Sequence, residues 1–305
     1  MKCAYYSCLV IALLSCYALQ GQFYFTANHQ PEPELMWELG ASTGTMNCLT
    51  DLGGSNSAGK KFIADINWNQ SQFCGSVFAS ATWQSLYAIR LQASAGQISG
   101  TDEVLKNSAG PAYNRYLRHL HFRTTIIELS VITEIHLLAI LRKHRDLPLL
   151  SPYLAAGAGF FSYTPKARFN HRWVALRPLH TEGQGFIEYP DRTAYQQISW
   201  CIPLGAGVKY DAGRLLNLRL ELLYRFTGTD YLDDVSKKYI DPSLFSRYLP
   251  ASEAAMAAAV ANRSAELAGG VNNNKNAIRG NPANKDAYFS FMLNISIALG
   301  RILHK

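Results

Sequence analysis

Two histidine–carboxylate pairs carry residue types suited to proton transfer: His136 with Glu134, and His180 with Glu182. A hydrolase built on such a pair also needs a nucleophile beside the imidazole, and no nucleophile motif stands in this sequence. Asp230, Asp233, Asp234 and Asp241 offer oxygen ligands of the kind a divalent cation takes, but not at calcium-loop spacing. They read as a solvated acidic loop, paired with Lys237 and Lys238. Arg142, Lys143, His144 and Arg145 form the tight basic cluster and read as a solvated turn. No basic stripe interleaved with aromatics is present, which argues against nucleic acid. A further set is more informative. Arg90, Glu128, Glu134, Arg219, Glu221 and Arg225 are charges embedded in otherwise apolar, alternating segments. They suit either an ion or solute path or an internal salt-bridge network. The network is the favoured reading, because isolated charges away from water are costly. The sequence therefore predicts no catalytic residue, cofactor, metal or small-molecule substrate.

The segments that hold these charges alternate with period two, as strand side chains do. Leu216, Leu218, Leu220, Leu222, Tyr224 and Phe226 share one face, while Asn217, Arg219, Glu221, Arg225 and Thr227 share the other, with Leu223 as the exception. Eight such strands are predicted: Leu35–Met46, Phe73–Thr82, Leu86–Ile98, Leu120–Leu138, Pro152–Phe161, Ile198–Tyr210, Leu216–Thr227 and Tyr288–Arg301. Long connections at about 47–72, 99–119, 162–197 and 228–287 alternate with short ones at Trp83–Ser85, Ala139–Ser151 and Asp211–Leu215. Loops beyond ~12–15 residues are uncommon in compact domains. Their recurrence at every second connection is the pattern of an all-β, eight-stranded antiparallel up-and-down transmembrane β-barrel, with long external loops and short periplasmic turns. Closure leaves no unpaired edge in lipid. In the last loop, Ser252–Ala268 reads as a short helix capped by Ser252, and Gly269 onward is turn-rich.

The composition agrees. The chain is 48% hydrophobic with 17 Tyr, 14 Phe and 5 Trp, yet its mean hydropathy is −0.06. That excludes a helical membrane protein but not a barrel, whose strands are only half apolar. Trp37, Trp83, Trp173 and Trp200 read as interfacial or packing aromatics. At the N-terminus, Lys2, the apolar run Leu9–Leu14 and the segment Ser15–Gln22 form an export signal over residues 1–22, leaving a barrel domain over 23–305. Leu13-Leu14-Ser15-Cys16 also has the form of a lipidation site. The mature chain keeps Cys48, Cys74 and Cys201, or four cysteines if Cys16 is retained, with Cys48–Cys74 one bridge their positions allow.

Several stretches add a resemblance: Trp37–Ser42, Ile126–Ser130, Ser151–Leu154 with Gly157 and Gly159, Pro165–Ala167, Leu176–Gly185, Ile202–Gly207, Thr229–Ser236 and Arg279–Pro282. Together, and in this order, they resemble the PorG-like outer-membrane β-barrel family of Bacteroidetes-type bacteria, associated with the type IX secretion system. The elements at Leu176–Gly185 and Thr229–Ser236 are the specific ones. The resemblance implies a non-enzymatic barrel in outer-membrane lipid that anchors a periplasmic ring of PorK-like and PorN-like proteins. On the predicted topology the ring would meet residues 23–34, the short turns and the C-terminus, with Arg142, Lys143 and Arg145 as contacts. The alternative is a stand-alone barrel, either a narrow pore or a surface-binding protein.

Overall fold

The computed structural model describes residues 34–53, 67–141, 150–212, 215–267 and 277–299. The predicted signal, the Cys16 site, the Arg142–Arg145 cluster and the segment from Gly269 to Asn276 lie outside these residues. Nine strands form: β1 (Leu35–Leu49), β2 (Gln72–Trp83), β3 (Tyr87–Thr101), β4 (His121–His136), β5 (Leu150–Phe169), β6 (Arg172–Ala175), β7 (Ile198–Asp211), β8 (Leu216–Thr227) and β9 (Ala287–Leu299). Every pairing is antiparallel, and the order β4-β3-β2-β1-β9-β8-β7-β5 is closed by β4 pairing with β5. Eight strands thus make a closed ring, and β6 is a short hairpin partner of β5 beyond it.

Alternation sets the environment of each face. Leu216, Leu220, Leu222 and Phe226 are exposed on β8, whereas Asn217, Arg219, Glu221, Leu223 and Arg225 are buried in the lumen. The same division holds on β3, with Ile89 and Leu91 out and Arg90 and Gln92 in, and on β4, with Ile127, Leu129 and Val131 out and Glu128, Ser130 and Glu134 in. A soluble barrel would bury the first set. Here the apolar face points outward all round and the charged face inward, which defines a membrane-spanning barrel. Trp37, Trp83, Tyr87 and Tyr210 ring the short-turn end of this band, and Phe73, Phe160, Trp200 and Phe226 ring the long-loop end. The turn Trp83–Leu86 is closed by a 3.0 Å hydrogen bond from the Leu86 N–H to the Trp83 carbonyl. Its central residues, Gln84 and Ser85, both have positive φ (49° and 55°), as a type I′ turn demands.

Several boundaries differ from the sequence reading. β5 does not stop at Phe161 but continues to Phe169 and turns into β6, so a third of the expected 162–197 loop is sheet. Leu137–Leu141 is a short helix rather than the end of β4. Phe289, on the same face of β9 as the exposed Phe291, Leu293 and Ile295, is itself 5% exposed because Trp68 of the β1–β2 loop packs edge-on against it. The helix of the last loop spans Ala251–Ala261 with Pro250 at its N-cap. Ser252 lies inside the first turn and does not cap it. Cys48, Cys74 and Cys201 are all free and buried, so the conceivable Cys48–Cys74 bridge is not formed.

Candidate functional site: a sealed lumen and a buried loop cap

The lumen residues expected from alternation come together. Arg90 lies 2.6 Å from Glu221 and 3.1 Å from Glu134. The Tyr153 hydroxyl donates to Glu221 at 2.8 Å. Arg225 binds Glu128 at 2.9 Å, and Tyr288 donates to the same carboxylate oxygen at 2.9 Å. Arg219 binds Glu38, which also accepts from Lys209 at 2.5 Å and from Ser296 at 2.9 Å. Phe78 lies beneath two of the guanidinium groups, 5.5 Å from Arg90 and 5.4 Å from Arg219. Arg90, Lys209, Arg219 and Arg225 therefore face Glu38, Glu128, Glu134 and Glu221, and the charges balance. Glu38 and Lys209 were not anticipated. Both sit at inward positions, between Trp37 and Leu39 and between Val208 and Tyr210, so alternation marks them.

His136 does meet Glu134, at 3.7 Å, and Ser151 Oγ lies 3.0 Å from His136 Nδ1. The order serine–histidine–glutamate is that of a hydrolase. However, the acid lies beyond hydrogen-bond reach of the ring, and Arg90 holds it. The other pair is not formed: His180 packs against Phe186, while Glu182 accepts from the Ser236 and Lys237 N–H groups and from Arg279 at 2.9 Å.

Above the charged layers the lumen turns apolar. Met46, Ile98, Phe122, Ile126, Phe161 and Tyr163 enclose Leu232 and Val235 of the last loop, which are 0% and 1% exposed. Three of the four aspartates of the acidic loop are therefore not solvated, which corrects the sequence reading, while Asp241 stays half-exposed and accepts from the Ser243 N–H at 3.0 Å. Asp230, Asp233 and Asp234 are buried, and Lys237 pairs with Asp191 instead. Asp233 accepts from the Leu52 N–H at 3.0 Å and the Val235 N–H at 2.9 Å. Asp286 accepts from the Leu232 N–H at 2.8 Å, and Asp230 accepts from Ser236 Oγ at 2.6 Å. Tyr195 donates to Asp234 at 2.7 Å, and Thr181 donates to its other oxygen. Loop carboxylates here replace secondary structure by satisfying backbone donors.

Two arginines tie the four long connections together. Arg118 makes a two-point contact with Asp102, at 2.8 Å for each bond, and donates to the carbonyls of Arg279 and Asp51. Arg279 in turn binds Glu182 and the carbonyls of Asp234 and Ala261. Gly183 adopts φ +73°, and a Cβ there would meet the Tyr189 ring at 2.9 Å, so only glycine suits this turn. The stretches 176–185, 229–236 and 279–282 are thus one interlocked cap. A second apolar cluster, including Leu179, Phe186, Ile240, Phe245 and Ala257, packs beside it. Burial pushes Asp230 up to about 7, with the Ser236 hydrogen bond opposing and Asp51 adding to the rise. Burial likewise pushes Asp234 up to about 6, against the pull of Arg279. Asp233 and Asp286 rise well above their ordinary value through burial first, then through Asp51 and Asp233 respectively.

Closed pairing, an outward apolar band and a salt-bridged interior define a transmembrane β-barrel of the outer-membrane type. No family model and no curated protein matches the sequence. Among solved structures, the chain is similar to Neisserial surface protein A (NspA), at 8% identity and a TM-score of 0.35 over 87% of this chain and 97% of that one. Ail, the attachment invasion locus protein of Yersinia pestis, gives 7% and 0.35 over 87% and 97%. The N-terminal β-barrel domain of Pseudomonas aeruginosa OprF gives 9% and 0.31 over 87% and 98%.

Proposed function

We propose that the chain is exported to the outer membrane and serves there as a non-conducting anchor, holding a periplasmic ring of PorK-like and PorN-like proteins as PorG-like barrels do. The observation that carries a surface role is the double seal. Balanced ion pairs span the lumen, and Leu232 and Val235 stop its mouth. A barrel closed in this way acts through what its two ends hold rather than through what it passes. The resemblance of the stretches 176–185 and 229–236 supports the particular partners, and the short-turn end is the side such a ring would meet. Arg142, Lys143 and Arg145 are proposed contacts there, as the basic cluster of the connection between β4 and β5.

Affinity purification from outer membranes is the test. Co-purification of PorK- and PorN-like proteins, lost on charge reversal at Arg142, Lys143 and Arg145, is the expected result. Clean recovery of the barrel alone would overturn the anchor reading. A second reading, a stand-alone barrel that binds partners at the cell surface, is favoured by the cap itself. Four long connections are lashed into one buried network, a firm platform rather than a loose fringe. Removal of the cap without effect on ring association would leave that platform free for a separate surface role.

A further inference from the structure

The outer face of β4, β5 and β6 changes character abruptly at one height. Ile127 and Phe160 are the last exposed apolar residues on β4 and β5 before the long-loop end, at 60% and 67% exposure. Beyond them on the same outward face come Arg123 on β4 and Lys166 and Arg168 on β5. Arg123 pairs in register with Lys166, and Arg168 with Trp173 of β6. The Arg123 guanidinium lies 4.4 Å over the Trp173 ring, an arrangement that orients the cation and shields one side of it.

Among the described residues, no carboxylate pairs with the side chains of Arg123, Lys166 or Arg168. The nearby Arg263, in contrast, is taken by Glu266 at 2.9 Å. On the other side of Arg123, β3 presents only Ser99. The cluster is therefore a cationic face whose three side chains have no carboxylate partner among the described residues.

Its height identifies what it faces. Arg123 is four residues outward of Ile127, about 13 Å along the strand at ~3.3 Å per residue. With the strand tilt usual in such barrels, that is about 10 Å beyond the end of the apolar band. This is the level of lipid headgroups rather than of acyl chains or bulk water. We propose that Arg123, Lys166 and Arg168, with Trp173 as a packing wall, bind the phosphate groups of an outer-leaflet lipid. Lys166 and Arg168, six and eight residues beyond Phe160 on β5, lie about 15 and 20 Å past it by the same reckoning. The three cations thus run from the headgroup level outward, which complements a phosphorylated glycolipid, whereas a zwitterionic headgroup would neutralise them poorly. Such a contact would fix the barrel's rotation and depth in the outer leaflet. It rests on the membrane-barrel reading.

Folded full-length protein in zwitterionic micelles would be titrated with diphosphoryl lipid A, with bound lipid counted by native mass spectrometry. Arg123→Gln/Lys166→Gln/Arg168→Gln should weaken binding by about fivefold per charge, roughly a hundredfold in all. Lys106→Gln, away from the face, should not weaken it. Single variants Lys166→Glu and Arg168→Glu, on side chains directed to the outside, guard against a triple variant that does not fold. Equal binding of the triple variant would overturn the proposal, as would equal binding of dephosphorylated lipid A. Full displacement by inorganic phosphate at matched phosphate concentration would show a free-anion site and reject a lipid one. Loss of heat-modifiable gel migration would instead indict the barrel itself, so the two failures are distinguishable.

Discussion

Arg90 gives the sharpest test of the lumen. Its guanidinium reaches Glu221 at 2.6 Å and Glu134 at 3.1 Å, and all three side chains are at most 1% exposed. Replacement by Met keeps much of the volume but strands two carboxylates. Glu221 would retain the Tyr153 hydroxyl at 2.8 Å. Glu134 would keep no hydrogen bond, with His136 at 3.7 Å and the charges of Arg219 and Lys209 acting only from farther away. Removing one partner of a buried pair costs about 3–5 kcal/mol, because the remaining charge has no water and has lost its direct partner. Arg90→Met should therefore lower stability by about 4 kcal/mol at neutral pH. Neutralising the carboxylates in the same background, as Arg90→Met/Glu134→Gln/Glu221→Gln, should bring stability back to within about 2 kcal/mol of the starting protein, since the network is then removed as a unit. Urea unfolding in detergent micelles, followed by tryptophan emission and gel migration, measures both. If Arg90→Met unfolds within about 1 kcal/mol of the unaltered barrel, or if the triple variant is no more stable than the single one, the ion pairs do not seal the lumen as argued.

Further consequences concern the cap and the turns. Leu232→Ala should cost about 3 kcal/mol, since its side chain is fully buried in the barrel mouth. The effect should appear first as protease cleavage of the last loop with the strands intact, and cleavage at the unaltered rate would contradict it. Asp230 and Asp234 have folded values of about 7 and about 6, above their unfolded value. Their protonated forms thus stabilise the cap fully below about pH 4, and this contribution is lost as pH rises through 6 to 7. Hydrogen exchange at Leu232–Lys237, corrected for intrinsic rates, should show more frequent opening at pH 8 than at pH 5, and the reverse trend would reject the burial argument. At the short-turn end, Ser85→Gly should stabilise the β2–β3 hairpin by about 1 kcal/mol, because Ser85 has φ 55° and glycine adopts that region freely. A urea midpoint that falls instead would show that the Ser85 side chain matters more than its backbone.

The strands were legible because lipid and lumen impose opposite demands on successive residues, and β8 carries that contrast along its whole length. Arg90, Glu128, Glu134, Arg219, Glu221 and Arg225 could be placed inward for the same reason, and Glu38 and Lys209 obey the rule equally. The extension of β5 was hidden by Pro165, which suggests a strand end. Here Pro165 has no N–H to lose, and its carbonyl accepts the Leu176 N–H at 2.9 Å. The cap was illegible for a different reason. Asp230, Asp233 and Asp234 look like a solvated turn locally, yet Asp233 and Asp234 are satisfied by donors far away in sequence. The Leu52 N–H that Asp233 binds is 181 residues distant. Neither periodicity nor composition encodes such pairings.

The central claim is a sealed barrel that works through its surfaces, and conductance tests it most directly. Purified protein inserted into planar bilayers should give no resolvable ohmic steps, whereas Arg90→Met/Leu232→Ala, with both seals weakened, should. Steady channel steps from the unaltered barrel would contradict the account.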